Sequence, residues 1–87
     1  MNGQLWSLEM TFSEDDIHTR ADAWLRAGQR ELHVVGRAKR NLSDPPIPAI
    51  GEQLAAARAL SELSRELVAE ATEAIEVYEG HRVGLHV

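Results

Sequence analysis

No cysteine occurs in the 87 residues, which removes disulfide staples, thiolate zinc sites and cysteine nucleophiles together. Aromatic residues are scarce, with two Trp, one Tyr and one Phe. The single core that a chain of this length can hold must therefore be built mainly from Leu, Ile, Val and Ala, with a thin stability margin. Dimerisation is a common remedy. No run approaches the roughly 18 consecutive apolar residues that span a bilayer, and the amino terminus lacks a basic segment followed by an apolar one. A chain that neither spans a membrane nor is exported is expected, and a cytoplasmic home is compatible with that. Positive charge is also short: fourteen acids oppose nine bases, a formal charge of −5, which disfavours broad attraction to nucleic acid or anionic lipid. The deficit is uneven. Residues 1–48 carry six bases and seven acids, whereas residues 49–87 carry three Arg and seven Glu, so an anion-binding surface is expected in the first half.

What is present falls into a strand, a hairpin, a connector and a helix. Over residues 4–12, Trp6, Leu8, Met10 and Phe12 alternate with Ser7, Glu9 and Thr11, the pattern of a half-buried strand. Ser13 followed by Asp16 resembles a capping box, so 13–18 is expected to form a turn or one helical loop. Residues 19–40 form a hairpin around Gly28-Gln29, because Gly in the first central position suits a two-residue type II′ turn. That register sets Leu25 opposite Leu32, Ala23 opposite Val34, Ala21 opposite Gly36 and Thr19 opposite Ala38 on one face, and a slip of one residue would mix the faces. Pro45, Pro46 and Pro48 make 41–48 a stiff connector that ends near the first helical position.

From about Ala49 to Tyr78, Ile50, Leu54, Ala57, Leu60, Leu63, Leu67, Ala71, Ile75 and Tyr78 recur at steps of three or four, which predicts a helix with this stripe as its buried side. Thirty residues make roughly 45 Å of helix, longer than a three-stranded sheet covers. Either the helix breaks near Ser61–Ser64 or its far end packs on another subunit. Gly80 is a natural helix stop, and Val83, Leu85 and Val87 beyond it suit either a short fourth strand or a loose tail. The fold class is therefore α+β: a three-stranded antiparallel sheet packed by one long C-terminal helix, in a single domain.

Chemistry is sparsely advertised. His18, His33, His81 and His86 form no i, i+4 pair and no zinc-protease pattern. The acids read as solvated, and the serines lie in no nucleophile context. No catalytic residue, metal, cofactor or small-molecule substrate is expected. The informative surface is the outer face of the hairpin, with Arg20, Asp22, Trp24 and Arg26 on one strand and His33, Val35, Arg37 and Lys39 on the other. The register sets Arg20 across from Arg37, an arrangement that is unfavourable unless an acid or an external anion lies between them. With Arg40 following and Trp24 as an apolar platform, this face suits an RNA backbone or an acidic partner surface. The plainer alternative is a solvated face whose Arg stems cover Trp24. A third is a subunit contact through Trp24 and Val35. Leu67, Val68, Ala71, Ile75 and Tyr78 extend beyond what one small sheet needs, so a homodimer using them is expected.

Gly36-Arg37-Ala38-Lys39-Arg40-Asn41, then Asp44-Pro45 through Pro48, and Ile50-Gly51-Glu52-Gln53-Leu54-Ala55-Ala56-Ala57-Arg58-Ala59-Leu60-Ser61-Glu62-Leu63 resemble a family of small actinobacterial proteins that includes a mycobacterial dormancy-induced member. The resemblance runs from the Trp6 strand to Glu76 and is most specific over Arg37–Leu63. It implies a fold like that of double-stranded-RNA-binding domains, a dimer similar in shape to ribosome hibernation-promoting factors, and a part in silencing translation under stress or low oxygen. It supplies no catalytic residues. The chain departs from hibernation factors in being acidic, which leaves the group around Arg37, Lys39 and Arg40 as its contact for the ribosome or its RNA. The competing expectation is a protein-interaction module without nucleic acid.

Overall fold

The computed structural model describes residues 3–79. Four elements follow one another: β1 (Trp6–Glu14), β2 (His18–Ala27), β3 (Arg30–Lys39) and α1 (Pro48–Glu79). The strands form one antiparallel sheet in the order β1-β2-β3, with α1 on one face of it. This is the expected α+β architecture.

The β2–β3 register is the one the hairpin pattern predicts, with Leu25 paired to Leu32, Ala23 to Val34, Ala21 to Gly36, Thr19 to Ala38 and Arg20 to Arg37. Gly28 has φ +65°, and among the described residues no non-glycine residue has positive φ, as a type II′ turn at Gly28-Gln29 requires. The β1–β2 corner takes the first of its two expected forms, a tight turn without a helical loop, because β1 continues to Glu14 and Asp15 takes over the role foreseen for Ser13. Its Oδ1 accepts the backbone N–H groups of Ile17 at 2.8 Å and His18 at 2.6 Å, and its own N–H donates to the His18 carbonyl at 2.9 Å. An Asx turn of this kind competes with helix initiation and here wins.

The helix is continuous over 32 residues, so no break occurs at Ser61–Ser64. Nothing there interrupts it: the stretch after Gly51 has neither Gly nor Pro before Gly80, and an i, i+3 ion pair between Glu62 and Arg65 spans Ser64. Pro48 occupies the first helical position, where its missing N–H costs nothing. The proposed stop at Gly80 and the alternating tail lie outside the described residues.

The buried side of α1 matches the expected stripe only at Leu63 and, in part, Leu67. Ala55, Ala59 and Leu63 are buried, whereas Ile50, Leu54, Leu60 and Tyr78 are exposed. The reason is Gly36. A Cβ placed there would lie 2.2 Å from the Ala55 carbonyl oxygen and 2.3 Å from the Ala59 nitrogen, so the helix backbone rests directly on β3 and only small residues fit between. Ala21, Ala23, Leu25, Val34 and Ala38 complete the core. Centred on β3 and β2, α1 leaves the apolar face of β1 largely uncovered. Trp6, Leu8 and Phe12 stay 54%, 46% and 41% exposed, and only Met10 is partly buried against the core, so β1 is not the half-buried strand its alternation suggests.

Candidate functional site

The sheet face opposite α1 carries no second layer among the described residues, and the hairpin register delivers to it the side chains singled out by sequence. Strand alternation points Arg20, Asp22, Trp24 and Arg26 of β2 outward beside Arg37, Val35, His33 and Glu31 of β3, their respective partners in the register. The repulsion expected between Arg20 and Arg37 is relieved from within. Arg20 donates to Asp22 from Nε at 2.9 Å and from Nη2 at 3.0 Å, a two-pronged pair with the guanidinium fork. Asp22 also meets the His33 ring at 2.8 Å. Hydrogen bonds from Arg20 first, and His33 second, hold the Asp22 carboxyl below its ordinary value, and Asp22 in turn raises Arg20.

The Trp24 platform is also occupied. Its ring stacks on His33 with centroids 4.8 Å apart and planes 9° from parallel, so Trp24, His33, Asp22 and Arg20 form one connected row across the two strands. Arg26 pairs with Glu31 at 3.0 Å. Arg37 and Lys39 are exposed, and among the described residues no carboxylate pairs with either of them; His18 is the register partner of Lys39. Arg40 does not join this group. Its Nε donates to the Asp16 carbonyl at 3.1 Å and its Nη1 to the Asp44 carbonyl at 2.9 Å, tying the β1–β2 corner to the proline connector. Of the five nominated residues, Arg20 and Trp24 therefore belong to an internal network, Arg40 holds two loops together, and Arg37 and Lys39 alone offer uncompensated charge.

The nominated dimer residues divide likewise. Leu67 is packed against the core and, with Ala71, lines a cleft of about 300 Å³ whose opposite wall is Trp6, Leu25 and Leu32, with Arg30 and Glu70 in an ion pair at its rim. Val68 and Ile75 are half-buried and lie roughly half a turn from the sheet-facing residues. Tyr78 is 92% exposed near the end of α1. Sequence reasoning missed Asp22 and His33 as the residues that set the character of the face. The i, i+2 spacing of Arg20 and Asp22 along a strand was the available signal for the first; the second needed the cross-strand pairing.

Among the described residues, no group of His, Asp and Glu is arranged to hold a metal, and no helix is long and apolar enough to cross a membrane.

Comparison with known proteins places the chain among mycobacterial relatives. The uncharacterized protein MT1780 of Mycobacterium tuberculosis (strain CDC 1551 / Oshkosh) is 40% identical over 73 residues, spanning 84% of this chain and 78% of the relative. The uncharacterized protein Rv2632c of Mycobacterium tuberculosis (strain ATCC 25618 / H37Rv) is 38% identical over 85 residues, 97% of this chain and 91% of the relative. The crystal structure of Rv2632c superposes with a TM-score of 0.81 at 36% identity, covering 90% of this chain and 93% of that one. That agreement extends to the three-stranded sheet and the long helix. The Rv2632c-like family model matches residues 4–84, and the chain belongs to the Rv2632c-like family.

Proposed function

We propose that the protein is a non-enzymatic, cytoplasmic, dimeric binding protein that docks the Arg37–Lys39 corner of its open sheet face on a phosphate backbone, that of RNA or the ribosome, to silence translation under stress. The observation that carries this reading is the split among the cations of the face: Arg20 and Arg26 have carboxylate partners at 2.9 and 3.0 Å, and Arg37 and Lys39 have none among the described residues. The sequence resemblance over Gly36–Leu63 implies a shape like that of hibernation factors and double-stranded-RNA-binding domains, and that implied analogy of fold points in the same direction.

The affinity it implies is modest. Two cations neutralise about two phosphates, for a salt slope of about −2 per protomer on duplex RNA. A dimer presenting two such corners to one target gains through effective concentration. Cosedimentation of the protein with ribosomes at low salt tests the reading: binding is expected, and Arg37→Glu with Lys39→Glu abolishes it. No binding at low salt, or binding indifferent to that double substitution, overturns it.

A second reading, a protein-interaction module with no nucleic acid, is favoured by a different observation. Three large apolar side chains of β1, Trp6, Leu8 and Phe12, stay 54%, 46% and 41% exposed on the face that α1 covers elsewhere.

A further inference from the structure

Trp24 of β2 and His33 of β3 are register partners, and the parity of the hairpin explains how closely they stack. The residues that flank a two-residue turn, here Ala27 and Arg30, exchange both backbone hydrogen bonds. Even-numbered residues of β3 therefore turn their N–H and C=O groups toward β2, and odd-numbered ones turn theirs to the open edge. The Arg37 carbonyl obeys this rule, accepting from Arg58 of α1 at 2.7 Å. Trp24 and His33 are thus a non-hydrogen-bonded pair, the kind in which side chains come closest, and their rings meet at 4.8 Å and 9°.

The His33 ring is held on two sides. Trp24 covers one of its faces, and its Nε2 lies 2.8 Å from Asp22 Oδ1. Asp22, held below the ordinary carboxylate range by Arg20 and then by His33, has no proton to give near neutral pH. The imidazole Nε2 is therefore the donor, which fixes both the tautomer and the orientation of the ring. Its second face is open. β3 is an edge strand, α1 lies on the opposite face of the sheet, and among the described residues no other ring stacks on His33, whose side chain is 43% exposed. A planar ligand placed there meets a ring already ordered within the fold, so binding loses little further entropy on the protein side.

Charge selects the kind of planar ligand. Arg37 stands on the same face of β3 four residues from His33, about 14 Å along the strand, with Lys39 beyond it. The carboxylates next to the ring are already paired, Glu31 with Arg26 and Asp22 with Arg20. Glu9, the β1 partner of Trp24, is exposed on the far side of the stack and repels a polyanion there, which directs one to the β3 side. We infer that the free face of His33 receives an unpaired nucleobase of a single-stranded RNA, extending the Trp24–His33 pair to three stacked rings while Arg37 and Lys39 hold phosphates further along β3. The inference rests on the phosphate-docking reading above and narrows its ligand, because an unpaired base can be splayed out to offer a ring face and a base stacked inside a duplex cannot. The outward N–H and C=O groups of His33 and Val35 lie at the same edge, within the parity set by the turn, for hydrogen bonds to that base. An extended peptide fits less well, since Arg58 occupies the edge at the Arg37 carbonyl and cuts short the row of backbone groups that an added strand pairs with.

Fluorescence anisotropy of the full chain with a labelled unstructured single-stranded RNA, with its duplex and with an extended acidic peptide, all at low salt, is the test, together with the His33 ring-proton shifts in NMR. The single strand is expected to bind about tenfold more tightly than the duplex and to move the His33 ring protons upfield. His33→Ala should bring the single strand down to the duplex level and leave the duplex unchanged, with an unaltered far-ultraviolet circular dichroism spectrum because the side chain is exposed. His33→Phe, which keeps a flat ring, should retain most of the preference. Arg37→Glu with Lys39→Glu should abolish binding of both RNA forms. Equal affinity for the two forms, with both lost on that charge reversal, overturns the stack and leaves the phosphate reading standing. A preference that follows His33 but survives the charge reversal upholds the stack and overturns the phosphate reading. Equal weakening of both forms by His33→Ala, a shift of the His33 protons by the peptide and not by the single strand, or no binding of either RNA overturns the stack.

Discussion

β1 and β3 flank the same central strand and are of similar length, nine and ten residues, yet they live in different environments. β3 is pressed under the helix: Gly36, Val34 and Ala38 are buried, and Arg58 of α1 engages the Arg37 carbonyl. β1 has the larger apolar side chains and the lesser cover. The difference shows that the position of a helix on a small sheet is decided by where the backbone comes closest, not by where the greasiest residues stand. Gly36 beneath Ala55 and Ala59 creates the closest approach, and dispersion and burial at that contact outweigh what a helix centred on β1 would gain around Trp6 and Phe12.

Filling the close contact is the most damaging way to abolish that asymmetry. Gly36→Ala introduces a methyl group 2.2 Å from a helix carbonyl oxygen, which backbone cannot absorb locally. A loss of about 3 kcal/mol or more is expected, measured by urea unfolding, because overpacking at a backbone-to-backbone contact must displace the whole helix. A pair of truncations measures the asymmetry directly. Leu8 and Leu25 face each other across β1 and β2, and Leu25 is 5% exposed against 46% for Leu8. Leu25→Ala should cost about 3 kcal/mol and Leu8→Ala under about 1 kcal/mol in dilute protein. The gap should narrow as protein concentration rises if a second copy covers β1. Equal costs at all concentrations would mean that the two strands are equally covered.

The hairpin was legible to the residue because two independent signals agree: the Gly28 turn and the alternation of Ala21, Ala23, Leu25, Val34 and Ala38 around it. The helix was legible in existence and extent, since apolar spacing and the Pro48 start are local properties. Its buried side was not. Periodicity weights Ile50, Leu54 and Leu60 over alanines, and only the tertiary fact of a glycine under the helix makes Ala55 and Ala59 the contact residues. The outer face was half legible. Which side chains gather there follows from register, but Asp22 accepting from Arg20 and meeting His33, and Arg40 turning to the Asp16 and Asp44 carbonyls, depend on rotamers and loop positions that alternation does not encode.

The two faces of the sheet can be set against each other by altering Asp22. Asp22→Asn removes the partner that neutralises Arg20, so the outer face gains a third uncompensated cation. If the face binds a phosphate backbone, affinity at low salt should rise and the salt slope steepen from about −2 toward about −3, as read by fluorescence anisotropy with a short RNA duplex. Unchanged binding would place the ligand elsewhere. The core side should feel little, because Arg20 is exposed and its stem can relax into water.

The smallest expected effects come from the carboxylates of the β1–β2 corner and of the outer face, and they differ in sign. Asp15, lowered by the His18 and then the Ile17 backbone N–H groups, and Asp22, lowered by Arg20, favour the folded chain when ionised. Their contribution is complete above the ordinary aspartate value of 3.8 and is lost as pH falls below it through the depressed folded values. Glu14 behaves oppositely. It lies against Glu52 of α1, and their shared hydrogen bond, aided by partial desolvation and mutual repulsion, raises it above 4.5. The folded chain therefore binds that proton more tightly than the unfolded one. A penalty sets in as pH rises from 4.5 through the raised folded value and is fully present at neutral pH. Glu14→Gln should remove the penalty, raising the thermal midpoint slightly at pH 7 and leaving it unchanged near pH 3, with the gain shrinking in high salt as the exposed pair is screened. A variant less stable than the parent at pH 7 would mean that the corner draws support from the Glu14 charge, contrary to the contact with Glu52.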